Sequence, residues 1–168
     1  MIRVKMVKNI FPIDLNDDQL VERINFSDRL ELASAMFDAY EASPDYEEDS
    51  LEDFENEINH LETSLYGPVI SEASLCIKKG KIILAGIFVC DFKGEATITY
   101  TFTRKEYQGQ GLAERLIRRA ENTLYQLGYK ELYLYLTLEN HDGFALFDTL
   151  GFEETSMDSK IVDLNEFQ

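Results

Sequence analysis

The residues best suited to chemistry lie in the run Gln108-Gly109-Gln110-Gly111-Leu112-Ala113, which opens an amphipathic helical pattern. Glycine lets a backbone approach a ligand that a side chain would hold off. The first turn of a helix offers unpaired N–H groups and the positive end of its dipole. Together they make a cradle for phosphate. Two familiar versions are excluded. No Lys-Ser or Lys-Thr comes after the glycines, as GxxxxGK[ST] requires, and Glu114 stands where a dinucleotide fingerprint needs its third glycine.

A cradle needs a strand to deliver it and a helix to back it. The run 95–103 is β-like and leads into the loop, and Leu112, Leu116, Ala120, Leu124 and Leu127 then line one helical face up to Gly128. Upstream, Ile2, Val4 and Met6 alternate with polar residues as a first strand. A helix is expected over 28–40, capped by Ser27, with Leu30, Ala33, Phe37 and Tyr40 on its inner face. A second helix starts at Ser50, with Asp53 as its capping-box partner and Leu51, Phe54, Ile58, Leu61 and Leu65 as its stripe, and stops at Gly67-Pro68. Runs 73–78, 81–91 and 95–103, separated by Lys79-Gly80 and Lys93-Gly94, predict an antiparallel meander. After the central helix come a strand over 130–138, a short helix over 142–150 ending at Gly151, and a tail of β character over 152–164.

At 168 residues the chain reads as one α/β domain (1–168), with helices over about 28–66 and a mainly β core over about 73–152. Its net charge of −16 repels nucleic acid and anionic membrane and attracts cationic ligands such as amines. The charge is unevenly spread. Asp38, Glu41, Asp45, Glu47, Glu48, Asp49, Glu52, Asp53, Glu55, Glu57 and Glu62 succeed one another with no Lys or Arg between, whereas Arg104, Lys105, Arg115, Arg118 and Arg119 surround the glycine loop. A local basic patch suits a polyanionic ligand. Cys76 and Cys90 match no metal spacing and read as reduced core residues, and no apolar run is long enough to cross a bilayer. A cytoplasmic protein without a metal is expected.

The loop resembles the pantetheine–pyrophosphate motif of the GNAT acetyltransferase superfamily, [QR]-x-x-G-x-[GA], whose fixed positions Gln108, Gly111 and Ala113 fill. The run Asn140-His-Asp-Gly143-Phe-Ala-Leu146-Phe147-Asp-Thr-Leu-Gly151-Phe152 is similar to that superfamily's second signature, N-x-x-A-x-x-[LF]-Y-x-x-x-G-F. The element order agrees. The resemblance implies the GNAT acyltransferase fold, a mixed and mostly antiparallel twisted sheet flanked by helices, with the helices over about 28–66 on the acceptor side and the core over about 73–152 binding the cofactor. It also implies N-acetyl transfer from acetyl-CoA to the amine of a small cationic molecule or peptide, with a homodimer possible through the terminal strands. A non-catalytic acyl-CoA-binding module is the alternative.

On that resemblance the pyrophosphate belongs to the amides of Gln108, Gly109, Gln110, Gly111, Leu112 and Ala113. The pantetheine arm belongs to the strand edge at Thr101, Phe102 and Thr103, with Asn140 and Phe147 beside it. A backbone N–H at that edge would meet the thioester carbonyl, where one donor is worth roughly 3 kcal/mol. The amine must lose a proton, at about 4 kcal/mol at pH 7 for a pKa near 10. The family's usual base position is Thr97 here, so Glu95 is the nearest substitute on the strand, with Glu47 and Glu48 as rivals. The tyrosine that protonates the departing sulfur is replaced by Phe147, leaving Tyr135 or Tyr100 to stand in.

Overall fold

The computed structural model describes residues 2–13, 20–41, 48–155 and 161–163. Strand β1 (Ile2–Asn9) is followed by β2 (Val21–Arg23), α1 (Arg29–Glu41) and α2 (Leu51–Glu62). Then come β3 (Leu75–Lys79), β4 (Ile82–Phe92), β5 (Glu95–Thr103), α3 (Leu112–Gln126), β6 (Glu131–Thr137), α4 (His141–Thr149), β7 (Glu153–Glu154) and β8 (Ile161–Asp163). The strands form one open mixed sheet in the order β2-β3-β4-β5-β6-β1-β7, with β8 also on β1. The expected meander is present as antiparallel β3–β4–β5. β2 pairs with β3 and lies outside the expected strands, because three residues without alternation carry no period to read.

The helices cover both faces. Leu116, Ile117, Ala120 and Leu124 of α3, Phe147 of α4 and Leu150 just after it pack with Ile87, Val89, Ile98 and Leu134 on one side. Leu32, Met36, Phe54, Ile58 and Leu61 of α1 and α2 pack with Phe88, Cys90 and Phe102 on the other. Each such large side chain stabilises the fold by roughly 2 kcal/mol through removal from water. Across the first layer, buried Glu121 of α3 takes Lys8 of β1 at 2.9 Å. Burial pushes the Glu121 carboxyl up, against the pull of Lys8.

α2 starts as expected, with Ser50 and Asp53 capping each other reciprocally. Leu51 and Leu65, expected in its stripe, are exposed. α1 departs further. Its entry is a short 3-10 turn, Phe26–Asp28, capped by Asn25 rather than Ser27: the Asn25 side chain accepts from the Ser27 N–H at 2.9 Å. Leu30 is 68% exposed, and the buried set is Leu32, Ala33, Ala35, Met36 and Ala39. Two overlapping stripes exist in α1, and the sheet takes the alanine-rich one, which allows the closer approach.

β5 decides the geometry of the site. Its pairing with β4 passes from Val89↔Ile98 to Phe88↔Tyr100, so Thr99 is an extra, bulged residue. A bulge reverses the faces of the residues beyond it. Ala96 and Ile98 therefore lie in the α3 layer, whereas Tyr100 and Phe102 lie in the α1–α2 layer. Opposite, Gly86 makes room for the Phe102 ring, since a Cβ there would come within 2.4 Å of it.

Candidate active site

β5 and β6 pair in parallel at Thr97↔Tyr133 and Ile98↔Leu134 and then part, while β6 stays with β1 as far as Arg3↔Thr137. The gap is a cleft of about 690 Å³ through the sheet, lined by residues 97–103 of β5, 134–137 of β6 and groups from α2 and α4. The edge of β5 beyond Thr99 is thus left without a neighbouring strand. Arg104 N–H bonds to Leu84 O, so by alternation the even positions turn to β4 and the odd ones to the cleft. The outward carbonyls of Thr101 and Thr103 accept from Tyr40 OH at 3.2 Å and Gln108 Nε2 at 3.0 Å.

The glycine loop lies at the mouth of this cleft. Gly109 and Gly111 have φ of +80° and +79°, and a Cβ on either would meet nothing within 4 Å. Left-handed backbone, not crowding, requires glycine there. Gly111 caps α3 and, having no side chain, makes no side-chain cap bond to it, whereas Ser50 caps α2 and Asn140 caps α4. The first turn, from Leu112 through Ala113, therefore keeps its donors open to an anion. Gln108 braces the loop onto Thr103, Gln110 is exposed, and the Leu112 side chain is buried in the core. Phe102 turns its ring onto Phe88 and its backbone towards β4, leaving Thr101 and Thr103 as the outward pair.

The basic patch is smaller than the sequence implies. Arg104 points inward to Glu31 Oε1 at 2.7 Å and Ile83 O at 2.7 Å, tying α1 to the end of β5, and Arg118 pairs with Glu114. Asn140 accepts from Gly143 N–H at 2.9 Å as the cap of α4. Phe147 is buried edge-on to Phe152, ring centroids 5.4 Å apart. The Thr101 hydroxyl, by alternation on the α3 side, is buried without a partner. That orphaned hydroxyl and the uncapped helix fit a ligand of alternating amides ending in phosphates, which is the chemistry of coenzyme A.

On the opposite face stands a carboxylate that the sequence does not single out. Glu57 of α2 accepts from Tyr66 OH at 2.6 Å and from Tyr100 OH at the same oxygen, Oε2, while His60 Nδ1 lies 3.1 Å from Oε1. Burial, then the Glu57 charge, pushes the Tyr100 hydroxyl well above the usual tyrosine range, and Tyr66 is raised by burial and its bond to Glu57. Both phenols stay protonated donors. Glu95 is placed elsewhere: it bonds Lys5 Nζ at 2.8 Å at the start of β5 and does not line the cleft. Thr97 sits where the strands join, its hydroxyl on Glu95 O at 3.0 Å. Glu48 is exposed with φ of +62°, and Glu47 lies outside the described residues.

The family model of the GNAT acetyltransferases matches residues 30–152. The chain belongs to the GNAT acetyltransferase family. Solved structures agree on the GNAT fold. An acetyltransferase of the family from Novosphingobium aromaticivorans superposes with a TM-score of 0.63 at 19% identity, over 92% of this chain and 60% of that one. The PaiA N-acetyltransferase of Thermoplasma acidophilum, solved with coenzyme A, gives 0.64 at 19% identity over 84% and 94%. An aminoglycoside antibiotic 6'-N-acetyltransferase from Acinetobacter haemolyticus gives 0.59 at 19% identity over 86% and 95%. This GNAT chain thus spans three-fifths of the length of the Novosphingobium protein. A sequence search of curated proteins found no match.

Glu57 is hidden in the sequence because it is one acid in a long acidic run; its position three residues after Phe54 and one before Ile58, at the border of the stripe, is the one sequence signal for it. Tyr66 and Arg3 carry no such signal, since their part in the cleft depends on contacts distant in the chain.

Proposed function

We propose that this GNAT protein transfers an acetyl group from acetyl-CoA to the primary amine of a small molecule or peptide. One observation carries the reading: β5 and β6 part above Ile98, beside an α3 N-terminus that no side chain caps. Acetyl-CoA supplies the acyl group as a thioester; the amine nitrogen bonds to the acyl carbon, the C–S bond breaks and the sulfur leaves with a proton. Amides of residues 108–113 would hold the pyrophosphate, and the outward N–H groups of Thr101 and Thr103 the pantetheine and the carbonyl that becomes an oxyanion. The Thr101 hydroxyl would gain its missing partner.

Glu57 is the carboxylate suited to receive the amine. Tyr66 and Tyr100 hold its Oε2, which leaves Oε1, beside exposed His60, for the ammonium, and His60 would lead the released proton to solvent. Glu95, held by Lys5, is the weaker choice. A second reading, an acyl-CoA-binding module without turnover, is favoured by Phe147, whose ring cannot donate a proton to the leaving sulfur. A panel of amines with acetyl-CoA, monitored by free-thiol release, separates the two: release with at least one acceptor above hydrolysis is expected, and its absence with every class sinks the enzyme. The protein's own Cys76 and Cys90 are buried, and burial pushes both thiols up to about 11, so they stay silent in this assay.

A further inference from the structure

Resting on the acetyl-transfer reading, we infer that the acceptor is a free amino acid, whose carboxylate is received by Arg3 while its amine lies at Glu57. Arg3 is on β1 opposite Thr137 and lines the cleft. Leu136, next to Thr137, packs into the α3 layer, so by alternation Arg3 faces the side of Tyr100 and Glu57. Its positive charge is felt at the Tyr66 hydroxyl, which donates to Glu57, so the two charges share one end of the cleft. Among the described residues no carboxylate lies within ion-pair distance of Arg3, and its Nε is buried without a hydrogen bond.

Lys5, Lys8, Lys78, Arg29 and Arg104, partly buried like Arg3, each hold a carboxylate in this chain of net charge −16. A buried donor left unmade costs about 1–3 kcal/mol. The side-on fork of Nε and an Nη matches the two oxygens of a carboxylate. Glu57 meanwhile offers an anion for the ammonium. A guanidinium and a carboxylate facing one cavity complement a zwitterion, and Arg3 repels a second ammonium, which disfavours polyamines and aminoglycosides. A residue inside a peptide, its carboxyl tied up as an amide, would leave the Arg3 fork unfilled.

The test is calorimetry on the CoA-saturated protein, titrated with free amino acids, α and ω, and with their carboxamides. We expect at least one acid to bind about 30-fold tighter than its amide, the worth of a charge-assisted pair. Arg3→Gln removes that preference and leaves acetyl-CoA and carboxamide affinities unchanged, and Arg3→Lys, which keeps the charge and loses the fork, retains part of it. Equal binding of acids and amides, or Arg3→Gln weakening acetyl-CoA itself, overturns the assignment. Failure of acetyl-CoA to bind the wild-type protein overturns the acetyl-transfer reading instead.

Discussion

Glu57 is held by two phenols that cannot ionise near neutrality, and this fixes a negative charge where an amine would arrive. Glu57→Gln keeps an acceptor for Tyr66 and Tyr100 but removes the charge and the proton acceptor. Its turnover should fall about 10²- to 10³-fold, with acetyl-CoA affinity unchanged by calorimetry. A variant with wild-type turnover would take the amine away from Glu57. At this scale the sequence is a partial guide. Gln108, Gly109 and Gly111 are recognisable because left-handed turns and helix entry restrict residue type locally. Glu57 and Arg3 are not, because a charge acquires its role from partners distant in the chain: Tyr100 lies 43 residues from Glu57. Strand position alone favours Glu95, and Lys5, on a strand 90 residues earlier, takes it.

Among the elements, β5 shapes both faces of the cleft. Below Thr99 it is an interior strand between β4 and β6; above, it is an edge whose outward groups meet Tyr40 and Gln108. The reversal at Thr99 sends Tyr100 towards Glu57 and turns Thr101 towards the α3 side. Phe102 anchors the upper half, and its ring lies where a Cβ of Gly86 would be. Gly86→Ala should lower unfolding free energy by roughly 2 kcal/mol, read from the urea midpoint at constant slope, because the ring must shift within a filled core. A loss below about 0.5 kcal/mol, the level of a surface substitution, would mean that the ring moves freely. The meander, α3 and the capping box of α2 are legible because turns, period and caps are local signals. The α1 face is not: Leu30 and Leu32 both satisfy helical spacing, and the sheet selects the second.

At the scale of the whole molecule, the sheet is split by its own strand pairing at a cleft, and on the proposed reading the cofactor lies on one side of it and the acceptor on the other. On that reading, α3 and its N-terminus would serve the first and α2 with Glu57 the second. The chain belongs to the GNAT family through residues 30–152 and shares its fold with the PaiA N-acetyltransferase solved with coenzyme A. No helix among the described residues is long and apolar enough to cross a membrane. The surrounding charge of −16 favours approach of an ammonium while opposing a polyphosphate, so on the proposed reading the local amides of the loop would have to supply the cofactor's affinity. Calorimetric titration of acetyl-CoA into the purified protein tests this most directly. Saturable binding at a single site, with Kd of about 1–100 μM, is the predicted result. A folded protein that gives no heat and no displacement up to millimolar acetyl-CoA contradicts the account.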